Sequence, residues 1–239
     1  IRATGCEGIY LDQLGSATPY PCFDPEHAHG HPACFNHGYM EILDRLRPLA
    51  ALMIENCGDI YSSRVWASYV WNGELYDEFF NLYRYTFPEH RLVCRVHPRP
   101  MADRALRKIL FYRDLHRAWL LGAYFWASPD RRFGPDDGRL RQDLIQVVAL
   151  RRLAEPWLAE ARFLDSDGLR LSGATGVHAA RFEGPAGSVI TIVNPRGEEG
   201  ALVVETPFKT ASVLRPGLRE PVGWNGTQSH LPLPRDALS

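Results

Sequence analysis

The sequence predicts an α/β chain, with the C-terminal part of a (β/α)8 TIM barrel over residues 1–162 and a small antiparallel β-sandwich over residues 163–239. Three observations predict it. Short apolar runs alternate with amphipathic helical stretches in the first two thirds, as in parallel strands covered by helices. Beyond residue 162 the residues alternate apolar and polar between Gly and Pro turns, as in an antiparallel meander. The four β/α units are too few for a closed barrel, which takes about 250 residues. The earlier half of the barrel is therefore expected to be missing from this chain, lying outside it or supplied by a second chain.

The elements follow in order. EGIYLDQL (7–14) is a short apolar run that ends in Asp12, bounded by Gly8 and Gly15. A loop rich in Pro, Gly and His leads to GYMEILDRLRPLA, where Met40, Leu43, Leu46 and Leu49 stand at helical spacing. ALMIEN (51–56) is too short for a helix and is closed by Glu55. YSSRVWASYVWN (61–72) reads as helix or loop, and NLYRYTFP (81–88) as a third strand stopped by Pro88. A helix is expected over 102–122, a fourth strand at AYFWAS (123–128) and a long helix over 139–161. GLRLSG, GVHAARFEG, GSVITIVNP, GALVVET and KTASVL then supply the meander.

Bulk composition removes several function classes. In 239 residues, 45% are hydrophobic and 11% aromatic, enough for a packed core. With 27 basic against 28 acidic residues the net charge is −1, so neither nucleic acid nor a membrane surface is an expected partner. No apolar run is long enough to span a bilayer, and IRATGCEG lacks the apolar core of a signal peptide. It also lacks an initial Met, as a processed chain or a piece of a longer one would. Cys6, Cys57 and Cys94 beside apolar runs read as small buried residues, and cysteine usage favours reduced thiols and a cytoplasmic setting over a secreted one. No P-loop, dinucleotide fingerprint, His-Glu-x-x-His or nucleophile-elbow Ser is present, and no cofactor is expected. The NGT at Asn225 fits either a glycosylation acceptor or an Asn-Gly turn.

Two acids carry the chemical expectation. Asp12 and Glu55 each end an apolar strand in consecutive β/α units, the barrel end where catalytic side chains converge. Adjacent strands lie about 4.8 Å apart. Acids at matching levels then reach about 5–5.5 Å, the separation of a retaining glycosidase, in which one carboxylate attacks the anomeric carbon and the other serves as acid and base. A strand-end acid that caps a helix or pairs with Arg is the plainer reading, and two at equivalent positions tip the balance towards catalysis. A carbohydrate substrate suits the aromatics Tyr10, Tyr20, Trp66, Tyr69, Trp71, Tyr83, Tyr85 and Trp126, although most are expected in the core. Arg84 and Tyr85 lie in LYRYTF, which as a strand would alternate its side chains into the barrel. The expected substrate-binding set is Tyr10, Gln13, His29, His31, Asn56, Arg84, Tyr85 and Trp126.

PCFDPEHAHGHPACFNH (21–37) crowds His27, His29, His31 and His37 with Cys22, Cys34 and Asp24. Cys22 and Cys34 are twelve residues apart, too far for Cys-x2–4-Cys, and the His-x-His-x-His run suits the paired zinc spacings poorly. The preferred reading gives His29 and His31 hydrogen bonds to sugar hydroxyls and expects no metal. The alternatives are a metal-binding protein that uses loop 22–37, and a non-catalytic carbohydrate-binding barrel.

GIYLDQLGSATPYPCFDPEHAHGHP, the helix containing GY and the strand LMIENCGD resemble a bacterial glycoside-hydrolase-like family of unknown function. Its members have a (β/α)8 barrel and a C-terminal β-domain, and are distantly similar to endo-α-N-acetylgalactosaminidases and the α-galactosidase clan. The resemblance covers about residues 5–60. It implies an α-linked sugar substrate, with Asp12 matching the nucleophile after the fourth strand and Glu55 the acid/base after the next.

Overall fold

The structure is a computed structural model that describes residues 5–56, 59–70, 77–126, 133–172, 175–196, 200–204, 211–215, 218–222 and 229–232. Cys57, Trp71 and Asn225 lie outside them. The chain forms two compact units, Ile1–Arg95 and Val96–Ser239.

In the first unit, β1 (Gly8–Leu11), β2 (Ala51–Glu55), β3 (Ala67–Val70) and β4 (Arg91–Arg95) pair in parallel in chain order. β5 (Tyr124–Trp126) belongs to the second unit. Helix α1 (Phe35–Leu46) connects β1 to β2, a 3-10 turn (Asp59–Arg64) precedes β3, and α2 (Asp77–Thr86) precedes β4. Such crossovers are what parallel neighbours require.

Successive strand residues point to opposite faces. Leu52 and Ile54 register with Ile9 and Leu11, and together with Leu14, Leu43 and Tyr61 they build an apolar cluster. Leu43, at 0% exposure, anchors α1 there, with Met40 and Leu46 packed beside it as their helical spacing predicts. Trimming Leu43 to Ala would cost about 2–5 kcal/mol. Leu49 falls beyond the helix and is exposed. The opposite face carries Tyr10, Met53, Glu55, Tyr69, Val93 and Arg95, a much more polar set.

Three expectations need correction here. NLYRYTFP is not a strand: residues 77–86 are α2. Tyr83 and Phe87, one helical turn apart, stack at 4.9 Å with Tyr83 buried, whereas Leu82 and Tyr85 are exposed. The apparent alternation was also compatible with a helix, and burial of one face decided for it. The strand that follows is RLVCR, β4, whose terminal arginines hid its buried Leu92, Val93 and Cys94. Cys6 is exposed, not buried as expected, because it precedes β1 and enters no core. The undecided stretch 61–72 contains β3, buried along its whole length.

In the second unit, α3 (Arg104–Leu120) starts at Asp103, whose carboxylate accepts the Leu106 N–H at 2.9 Å. The helix expected over 139–161 divides into α4 (Gly138–Leu153) and α5 (Glu155–Leu158) at Ala154. Pro156 has no N–H for the Arg152 carbonyl, so the helix cannot run through. The antiparallel strands follow as β6 (Arg162–Asp165), β7 (Leu169–Ser172), β8 (His178–Gly184), β9 (Gly187–Val193), β10 (Ala201–Val204), β11 (Ala211–Arg215), β12 (Leu218–Val222) and β13 (Ser229–Pro232). They make sheets of order β6-β8-β9 and β13-β10-β7 and the pair β11-β12. α3 docks on β9: the Trp119 indole donates to the Ile192 carbonyl at 3.2 Å, and the Thr191 hydroxyl to the Leu120 carbonyl at 3.2 Å.

Candidate active site

The C-terminal ends of the neighbouring strands β1 and β2 carry two acids. Leu11 registers with Ile54; Asp12 is the first residue after β1 and Glu55 the last residue of β2. By strand alternation Glu55 shares the face that carries Tyr10 and Met53. Asp12 is exposed, whereas Glu55 is 6% exposed. The two carboxyl groups thus occupy different environments.

The backbone holds Glu55 in place. Gln13 adopts the left-handed conformation (φ 59°), and its N–H donates to Glu55 Oε2 at 2.8 Å. The Ser16 hydroxyl donates to the same oxygen at 3.4 Å. Between them, Gly15 (φ +102°) passes so close that a Cβ would lie 2.5 Å from the Glu55 carbonyl oxygen. Only glycine fits there. Asn56 is also left-handed (φ 66°), and its N–H donates to the Tyr69 carbonyl at 2.7 Å. Non-glycine residues in this region carry strain that clusters at functional sites.

Two tyrosines flank the acids. The Tyr10 hydroxyl donates to Asp12, and its ring meets that of Tyr69 edge-on with centroids 5.8 Å apart. Burial, then the charge of Glu55 and the bond to Asp12, hold the Tyr10 phenol neutral with its pKa well above the usual range. Burial also raises Tyr69, against the opposing pull of Arg95, with which its hydroxyl is hydrogen-bonded. Tyr10, Asp12, Glu55, Tyr69 and Arg95 therefore form one polar cluster at the strand ends. It can hold charge, donate protons and present aromatic edges to a ligand.

The remaining expected residues are placed differently. Arg84 lies on α2, is 5% exposed and donates to the His90 carbonyl at 2.6 Å. Tyr85 is 56% exposed on the same helix. The strand premise for both is gone, and Arg84 is engaged in holding the turn between α2 and β4. Trp126 ends β5 in the second unit, partly exposed. His31 Nδ1 accepts the Ala33 N–H at 3.0 Å, and His29 turns towards Cys22 and His27.

Sequence reasoning missed Ser16 and Arg95, and left Tyr69 among the general aromatics. Arg95 was detectable only by recognising β4. Ser16 follows the tight Leu14-Gly15 turn, a signal that gains meaning once Glu55 is known to sit beneath it. No family model matches the chain, and no curated protein or solved structure matches it.

Proposed function

We propose that the chain is a retaining glycoside hydrolase, or the C-terminal portion of one, acting on an α-linked sugar. What supports the reading is the succession of Asp12 directly after β1 and Glu55 at the end of the adjacent β2, with Glu55 on the polar sheet face that carries Tyr10 and Tyr69. On this reading the parallel sheet belongs to a (β/α)8 barrel and its polar face to the barrel interior. The other strands come from a preceding segment or a second chain, and the antiparallel sheets form a β-sandwich.

Asp12, exposed and steadied by Tyr10, is the nucleophile. Its carboxylate oxygen bonds to the anomeric carbon as the glycosidic C–O bond breaks, and the Glu55 carboxyl proton passes to the leaving oxygen. Glu55, now a carboxylate, takes a proton from water. The resulting attack on the anomeric carbon releases Asp12, and two inversions give net retention. The Gln13 N–H and the Ser16 hydroxyl keep Glu55 aimed through both steps. The substrate is a carbohydrate, and no cofactor takes part.

The test is hydrolysis of aryl α-glycosides by the protein and its Asp12→Asn and Glu55→Gln variants, with folding checked by circular dichroism. Expected are first-formed product of retained anomeric configuration and loss of turnover by about 10²–10⁴-fold for Glu55→Gln. Loss for Asp12→Asn should be at least as great. Parental rates in both variants, or inverted product, would overturn the assignment.

A further inference from the structure

We propose that Cys22, His27 and His29 form a zinc site that clasps the loop after β1. Their candidate ligand atoms lie within 4.8 Å of one another, although the residues span a loop with no helix or strand to impose that convergence. Cys22 Sγ stands 3.1 Å from His27 Nδ1. Two ligands of a tetrahedral zinc, at Zn–S about 2.3 Å and Zn–N about 2.0 Å, are about 3.5 Å apart. A few tenths of an ångström of opening seats the ion.

Two independent features point the same way. Both ring nitrogens of His29 are buried without a hydrogen-bond partner. A neutral imidazole has one nitrogen that needs an acceptor and one that needs a donor or a metal, and burying both unsatisfied is costly. Ligation by one of them removes part of that cost. The second feature is Asp24, whose Oδ2 lies 3.6 Å from Nε2 of His27, the nitrogen that does not face Cys22. A carboxylate behind a ligating histidine fixes its orientation and raises its basicity.

The backbone already closes around this group. The Cys22 N–H donates to the Pro32 carbonyl at 3.0 Å and the His29 N–H to the His27 carbonyl at 2.8 Å. One thiolate and two imidazoles select zinc over hard cations such as magnesium or calcium. Three protein ligands leave a fourth position, and the half-exposed rim at His27 and Asp24 admits water to it. The ion ties Cys22 to a segment five to seven residues on, so its role is to fix the loop. The proposal is independent of the hydrolase reading.

The test uses the untagged protein, stripped by a chelator and titrated with zinc against a chromophoric competitor. One zinc per chain is expected. Cys22→Ser and His29→Ala should each weaken binding beyond the about 10–100-fold expected for Asp24→Asn, which removes only a supporting group. His31→Ala, in the same loop but outside the cluster, should keep the parental affinity. Cobalt(II) in place of zinc should give a thiolate charge-transfer band that Cys22→Ser abolishes, a readout available from the parent protein even where a variant fails to fold. No stoichiometric zinc, no such band, or equal losses in His31→Ala and His29→Ala would overturn the proposal.

Discussion

The backbone N–H of Gln13 donates to Glu55 Oε2 at 2.8 Å, so the residue after one candidate catalytic acid positions the other. A main-chain donor has no rotamer to lose, and it fixes the carboxylate more firmly than a side chain would. The donor points correctly only because Gln13 is left-handed and Gly15 lets the turn lie against Glu55.

Replacing that glycine should disturb both stability and chemistry. Gly15→Ala places a Cβ against the Glu55 carbonyl in a conformation that L-residues resist. The expected loss is about 1–3 kcal/mol or more, read as a lowered urea midpoint. Activity on aryl glycosides should fall in the folded fraction as well, since the turn carries the Gln13 and Ser16 donors. An unchanged midpoint would mean the turn moves away at no cost.

Tyr10→Phe keeps the ring contact with Tyr69 and deletes the donor to Asp12. Hydrogen bonds to charged groups contribute about 1.5–3 kcal/mol. A fall in kcat/KM of roughly tenfold to a hundredfold is expected, with little change in melting temperature. If only stability changed, Tyr10 would be a packing residue.

His90 should make the first unit acid-sensitive. Burial, then the charges of Arg84 and Arg91, lower its pKa from 6.5 to about 4. The unfolded chain therefore takes up a proton that the folded chain refuses. Stability is complete above pH 6.5 and declines as the pH falls towards 4, by about 3 kcal/mol in all. Urea midpoints across this window should converge for the parent and His90→Gln as the pH drops, because the variant lacks this uptake. Its loss of the Ser68 contact, 3.0 Å from His90 Nε2, affects both ends of the range alike. Parallel pH profiles would refute the assignment.

In the second unit, Arg107 grips the buried Asp137 with both guanidinium arms at 2.7 Å, while its Nε–H donates to the Arg99 carbonyl at 2.9 Å. Arg107→Ala leaves Asp137 buried without its cation and should cost about 3–5 kcal/mol. Arg107→Lys should recover only part, because an ammonium cannot fork. Removing both charges should cost less than removing Arg107 alone, and thermal melts of the three variants would decide.

What the sequence made legible follows the physics of each element. β1 and β2 were readable because each is an uninterrupted apolar run closed by an acid, and Leu43 because its spacing served one helix face. α2 was misread because LYRYTF satisfies a period of two and a helical period equally over so few residues. β4 was hidden because the arginines at its two ends dilute three buried apolar residues. At the candidate site, Asp12 and Glu55 were visible as strand-end acids. Their fastening was not, because it depends on the left-handed turn at Gln13, and no residue type announces that conformation in a glutamine. The crowding of Cys22, His27 and His29 was visible in the sequence, but which members of loop 22–37 converge was not, because that depends on loop contacts such as the Cys22 N–H to the Pro32 carbonyl.

The sheet of the first unit divides its labour by side. Leu11, Leu52 and Ile54 face the apolar cluster with α1, and Tyr10, Glu55 and Tyr69 face away from it. Alternation along each strand keeps the two sets apart in every register pair. Selection can therefore alter one without touching the other. Exchanges at Met53 or Tyr69 reshape what is recognised while the packed side retains its stability, which leaves such a scaffold free to drift between ligands over evolutionary time.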